Sequence, residues 1–278
     1  MKPQVRLPHA FLRRSRRRPS AVLGPLHIRS RGRCAAPFVV LCNQRSGSTH
    51  LVDLLGQHPE IWAYNEILHG HRPYRATVRG RRARDTEDGA KFLDRLYCPR
   101  GVRQRHAIGF KLMYDHALKG ALATAWDYLA ADKSITIIEI VRENLLESLV
   151  SQRLAERSNR WHLKNPAERK PEPKIVLSPY DCIEYFESFK RSRRAALQRL
   201  GDRKIVRVTY QELCRDQEGT LARICGALNL PPHPAKPLRL KMETLPMEER
   251  IQNYHRLRDA LMATACSALF TGMPEFLN

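Results

Sequence analysis

The stretch Gln44-Arg45-Ser46-Gly47-Ser48-Thr49 gathers a glycine, an arginine and three hydroxyls into six residues. Between a strand and a helix, its backbone N–H groups cradle an anion and the helix N-terminus adds positive potential. Gly47 lets the backbone approach closely. Ser48 and Thr49 add hydroxyl donors, and Arg45 adds charge. The same turn would also serve as an ordinary connection capped by a serine. The nucleotide-triphosphate pattern GxxxxGK[ST] is absent: Cys42 stands five residues before Gly47, and Ser48 stands where its lysine would be. Three further residues carry charge where ligands gather. Arg142 ends a strand at the carboxyl edge of the expected sheet. Lys111 lies in mid-strand, where an unpaired ammonium is costly, so it snorkels out or faces an anion. Glu66 follows a short strand, again at a carboxyl end.

Those positions depend on the elements around them. Phe38–Cys42 is a continuous apolar run, as in a parallel strand buried on both faces. Leu51, Leu54 and Leu55 give Thr49–Gln57 a helical period, stopped by His58-Pro59. Ile61–Tyr64 is a second strand, completing a strand–turn–helix–strand unit. Strands are expected at 107–114, 134–141 and 204–209, and a short helix at 89–97. Longer helices are expected at 118–131, 144–157, 179–200, 218–228 and 247–270. Segments 69–107, apart from that short helix, and 158–178 read as loops, and no internal repeat is evident. The alternation predicts an α/β fold: a single P-loop-like domain with a central, mostly parallel sheet flanked by helices.

Lys and Arg total 49 against 28 Asp and Glu over 278 residues, a net charge of +21. Residues 1–36 hold ten basic side chains and no acid, and read as a disordered basic arm before a domain over 37–278. The rest still carries 39 basic against 28 acidic residues, which favours anionic ligands. The hydrophobic fraction of 42% excludes disorder of the whole chain. No apolar run reaches the length of a membrane span or of a secretory signal core. Seven cysteines without a CxxC pair argue for reduced thiols in the cytoplasm rather than a disulfide framework or a zinc knuckle. A P-loop-like kinase lacks its lysine and the strand-end aspartate for magnesium. A nucleic-acid-binding protein would explain the charge, but no helix-turn-helix, zinc or RNP motif accompanies it.

The block PFVVLCNQRSGSTHLVDLLGQHPEIWAYNE (Pro37–Glu66) resembles the 5′-phosphosulfate loop of the sulfotransferases, which transfer a sulfuryl group from PAPS (3′-phosphoadenosine 5′-phosphosulfate). IIEIVRENLLESLVSQRLA (Ile137–Ala155) is similar to that family's 3′-phosphate motif, and Lys204–Leu230 to its C-terminal strand–helix block. The bacterial enzymes acting on sugar hydroxyls, including trehalose and Nod-factor sulfotransferases, are the nearest in flavour. The resemblance implies PAPS as donor, no metal, and a hydroxyl acceptor on a carbohydrate or glycolipid. It implies that Arg45, Ser46, Gly47, Ser48 and Thr49 hold the phosphosulfate and that Arg142 and Ser151 hold the 3′-phosphate. Ser151 is one residue further from Arg142 than is usual in the family, which leaves Ser148 as the alternative. Lys111 matches a lysine that contacts the sulfuryl bridge, but Met113 occupies the position of the family's catalytic histidine. The base is then Glu66, which matches a glutamate of the sugar sulfotransferases, with His116 as runner-up because imidazole titrates near neutral pH. Trp161-His162 resembles a segment that shapes the acceptor site.

Overall fold

The structure, a computed structural model, describes residues 36–69, 87–98, 107–159, 161, 174–238, 245–264 and 266–267. Five strands form one sheet in the order β2-β3-β1-β4-β5. They are β1 (Ala36–Cys42), β2 (Ile61–Tyr64), β3 (Ala107–Met113), β4 (Thr136–Val141) and β5 (Ile205–Thr209). Every pairing is parallel, with Val40 in register with Lys111 on one side and Ile138 on the other. β2 and β3 lie on one side of β1, β4 and β5 on the other. The strand order therefore reverses at β1, and the crevice at its carboxyl end is where such sheets take their ligands.

All seven residues of β1 are buried. Their side chains alternate between two cores, as strand geometry requires. Phe38, Val40 and Cys42 pack with α1 (Ser48–Leu55), α6 (Tyr210–Arg215) and α7 (Gln217–Ala227). Val39 and Leu41 pack with α2 (Gly89–Tyr97), α3 (Thr124–Ala131), α4 (Leu145–Ser158) and α5 (Pro179–Leu200). With helices on both faces, the central strands have no polar side, which is why they read as unbroken apolar runs.

Two charged residues break these runs, Lys111 on β3 and Glu139 on β4, and Glu139 is fully buried. Its carboxylate accepts two hydrogen bonds from Arg193 of α5, at 2.9 and 3.1 Å, one from Arg207 of β5 at 3.2 Å and one from the Tyr114 hydroxyl at 2.9 Å. Burial and this carboxylate push the tyrosine pKa well above its usual value. Paired this way, a buried carboxylate is tolerated, and it locks α5 onto the sheet.

Two expected helices differ. Segment 118–131 is a single 3-10 turn, Gly120–Ala123, leading into α3. Ala117 and Gly120 have φ of 53° and 65°, which a right-handed helix does not accept. The helix expected over 247–270 is broken into α8 (Met247–Arg250) and α9 (Tyr254–Met262). Ile251 between them pairs with Ile175, and the Asn253 side chain bonds both the N–H and the C=O of Leu177. These long-range bonds override the helical period. Helix α6 was not expected, although Thr209 and Glu212 form a full capping box at its start. No helix among the described residues is long and apolar enough to cross a membrane. The basic arm up to residue 35, Arg79, Arg81, Arg82 and Arg84 in the loop expected over 69–107, and His162 lie outside the described residues.

Candidate active site

The turn between β1 and α1 is held in an unusual backbone form. Arg45 has φ 58° and Gly47 φ 85°. A Cβ on Gly47 would lie 2.3 Å from the Tyr210 ring, so only glycine fits both the dihedral and the space. Gly47 is also the N-cap of α1 and offers no side-chain cap. The first N–H groups of that helix thus point at the crevice without a side-chain acceptor from the cap. Ser46 and Ser48 are both buried. The Ser46 hydroxyl donates to Asn43 O at 2.8 Å and holds the turn. Burial pushes the neighbouring Cys42 thiol up to about 11, so it stays protonated and unreactive.

Lys111 points from β3 toward the α1 face and is only 3% exposed. Its ammonium donates to Thr49 Oγ1 at 2.8 Å and lies 2.7 Å from Glu66 Oε1. The anion it faces is therefore a carboxylate. Burial works to raise the Glu66 pKa. The Lys111 charge and hydrogen bond, helped by His116 and His69, outweigh it and hold the carboxyl below its usual value. His116 is buried, and burial pushes it down to about 4 against the pull of Asp115 and Glu66, so it is neutral at physiological pH. Its ring meets that of His69 edge to face, with centroids 4.6 Å apart.

Arg142 is 5% exposed. It donates through Nε to Glu147 on α4 at 3.1 Å, stacks 4.8 Å above the Tyr210 ring, and sends Nη1 to Arg45 O at 3.5 Å. Arg45 Nε in turn donates to Ser151 Oγ at 2.8 Å, and its Nη1 to Trp161 O at 2.8 Å. Ser151 thus faces the turn through Arg45. Ser148, equally buried, bonds with Tyr185, whose hydroxyl accepts from Asn43 at 3.2 Å. Beside these groups a cavity of about 180 Å³ is lined by Asn43, Gln44, Asp115, Gln152, Tyr185 and Ser188, among others.

Among the described residues, those singled out for the donor and the base, Arg45 to Thr49, Glu66, Lys111, His116, Arg142, Ser148 and Ser151, lie at the carboxyl end of the sheet. Thr49, Lys111 and Glu66 join into one network, and Arg142, Arg45 and Ser151 into a second. Tyr210 and His69 were not singled out. Tyr210 directly follows β5 and could have been found as another strand-end residue. His69, three residues beyond Glu66, carried no period or motif of its own.

No protein-family model matches the chain. Among curated proteins it is similar to nodulation protein H of Rhizobium meliloti, with 23% identity over 231 residues, 80% of this chain and 90% of that one. The nodulation protein H of Rhizobium tropici is 26% identical over 226 residues, covering 80% and 88%. These relatives bear out the resemblance to the PAPS-dependent sulfotransferases. Among solved structures, a sulfotransferase from Alicyclobacillus acidocaldarius superposes with a TM-score of 0.49 at 17% identity, over 88% of this chain and 94% of that one.

Proposed function

We infer that this chain is an enzyme that transfers the sulfuryl group of PAPS to a hydroxyl of a carbohydrate or glycolipid, without a metal. The observation that carries the reading is the relay Thr49 Oγ1–Lys111 Nζ–Glu66 Oε1, with links of 2.8 and 2.7 Å. It connects an anion-binding turn to a carboxylate that can accept a proton. The turn's N–H groups, Arg45 and Lys111 hold the phosphosulfate and stabilise the charge that develops on its leaving oxygen. Arg142 and Ser151 serve the 3′-phosphate, for which Arg142 turns away from Glu147. The acceptor oxygen attacks sulfur as its proton passes to Glu66. The new O–S bond forms, the S–O bond to the 5′-phosphate breaks, and PAP leaves. Donor binding gives the Lys111 ammonium a second anion, which weakens its hold on Glu66 and raises that carboxylate's basicity.

The lining of the nearby cavity, amides and hydroxyls with one carboxylate, suits a polyhydroxylated acceptor. The relatives' name, nodulation protein H, fits the Nod-factor side of the same resemblance. The division into a basic arm over 1–36 and a catalytic domain over 37–278 belongs to this reading. So does a cytoplasmic location, supported by six described cysteines that are all free and tested by cell fractionation.

The direct test is calorimetric titration with PAP and with ATP, followed by transfer from labelled PAPS to a panel of oligosaccharides, glycolipids and phenols. PAP binds and ATP binds far more weakly, because it lacks the 3′-phosphate. Equal affinity for the two, or no acceptor sulfated by PAPS, would sink the proposal.

A further inference from the structure

Three side chains converge beside the proton-accepting end of the site: Glu66 after β2, His69 three residues on, and His116 after β3. A carboxylate oxygen and one nitrogen from each imidazole all lie within 4.8 Å of one another. His116 is 8% exposed, and its Nδ1 is buried with no hydrogen-bond partner. A buried polar atom left in this state costs free energy and points to a missing ligand. Two imidazoles and a carboxylate are a donor set of three-ligand zinc sites, which keep a fourth position open.

We propose that Glu66, His69 and His116 bind a divalent cation of the zinc type, and that its binding switches off sulfuryl transfer. The ion pair with Lys111 uses Oε1 of Glu66, and Oε2 is the oxygen a metal would take. His69 is half-buried and gives a cation its way in, beside a Glu66 side chain that is 9% exposed. Lys111 adds a positive charge 2.7 Å from the shared carboxylate. It therefore weakens the site relative to a dedicated zinc centre, which makes the metal an inhibitor rather than a resident cofactor. Magnesium and calcium favour sites built from oxygen and do not compete for this one. Inhibition rests on the reading of Glu66 as base. Binding does not.

The test uses the full chain carrying Cys214→Ser, which removes an exposed thiol, and titrates zinc chloride against a chromophoric chelator without PAPS. His69→Ala lowers zinc affinity by at least about tenfold, the lower end of what losing even an outer partner costs. His255→Ala, which alters an exposed histidine on α9, leaves it unchanged. In turnover assays zinc inhibits the parent, EDTA restores activity, and the zinc concentration needed for half inhibition rises in His69→Ala in step with the loss of zinc affinity, measured against that variant's own zinc-free turnover. Equal zinc affinity in the parent and His69→Ala would overturn the site. Zinc bound as expected without inhibition would uphold the site and refute the role given to Glu66.

Discussion

Glu66→Gln separates proton acceptance from the other duties of this carboxyl. The substitution keeps size and leaves an amide oxygen for Lys111, but it removes basicity. Loss of general-base help lowers kcat by about 10²–10⁴-fold, or about 3–5 kcal/mol of barrier. The same change takes the negative charge from a pair whose side chains are only 9% and 4% exposed. Leaving a buried ammonium wholly uncompensated costs about 3–5 kcal/mol. Here Lys111 keeps Thr49 and the amide oxygen as acceptors, so the loss is closer to that of one charge-assisted bond, about 1.5–3 kcal/mol. Each kcal/mol lowers the Tm of a domain of 150–250 residues by about 2–4 °C. The expected variant is thus folded, somewhat less stable, and nearly unchanged in PAP affinity. A double variant, Lys111→Met with Glu66→Gln, removes the orphaned charge and recovers stability without recovering turnover. Steady-state transfer from PAPS, PAP titration and thermal unfolding on the same preparations decide it. Most of the turnover retained in Glu66→Gln, or turnover returning with stability in the double variant, would refute the assignment of the base. In the first case His116→Asn becomes the variant to measure.

Three further outcomes follow from the geometry. Arg142→Ala weakens PAP by about ten- to hundredfold, the worth of a charge-assisted contact, and barely affects adenosine 5′-phosphosulfate, which has no 3′-phosphate; calorimetry with both ligands checks this. Gly47→Ala forces a side chain into a φ of 85° and against Tyr210. The dihedral alone costs about 1–2 kcal/mol, and Tyr210→Ala in the same chain relieves only the clash, as PAP titration of the single and double variants would reveal. Removing residues 1–34, all before β1, leaves the Tm and PAP affinity of the parent; a drop in either would make the arm part of the fold.

What could be read without coordinates divides along a physical line. The strands at 107–114, 134–141 and 204–209 lie within one or two residues of β3, β4 and β5; β3 and β4 are buried on both faces and betray themselves as apolar runs, whereas β5 is an edge strand with Arg207 exposed. Helix α5 was likewise legible, with Ser178 as its N-cap and Pro179 in its first turn. The break between α8 and α9 was not, since its cause is a set of bonds to Ile175 and Leu177, more than seventy residues away in the chain. Glu139 shows the same limit. An acid in a strand could be seen, but not the two arginines and the tyrosine that pair with it.

The site was legible for a different reason. In a parallel sheet all carboxyl ends lie at one edge, so residues that follow strands are neighbours however far apart they are in sequence. Asn43 follows β1, Asn65 follows β2, Tyr114 follows β3, Arg142 follows β4 and Tyr210 follows β5. Knowing where strands end therefore places Arg45, Glu66 and Arg142 together before any contact is known. Lys111 breaks the rule, being two residues short of the end of β3, and its long side chain makes up the distance to Thr49 and Glu66. The pairing itself was hidden, because Lys111 and Glu66 could each have met another partner at that edge. Their register is set by β3 lying between β1 and β2. That single fact of strand order places Thr49 of the β1–α1 turn on one flank of Lys111 and Glu66 on the other, the arrangement on which the proposed transfer rests.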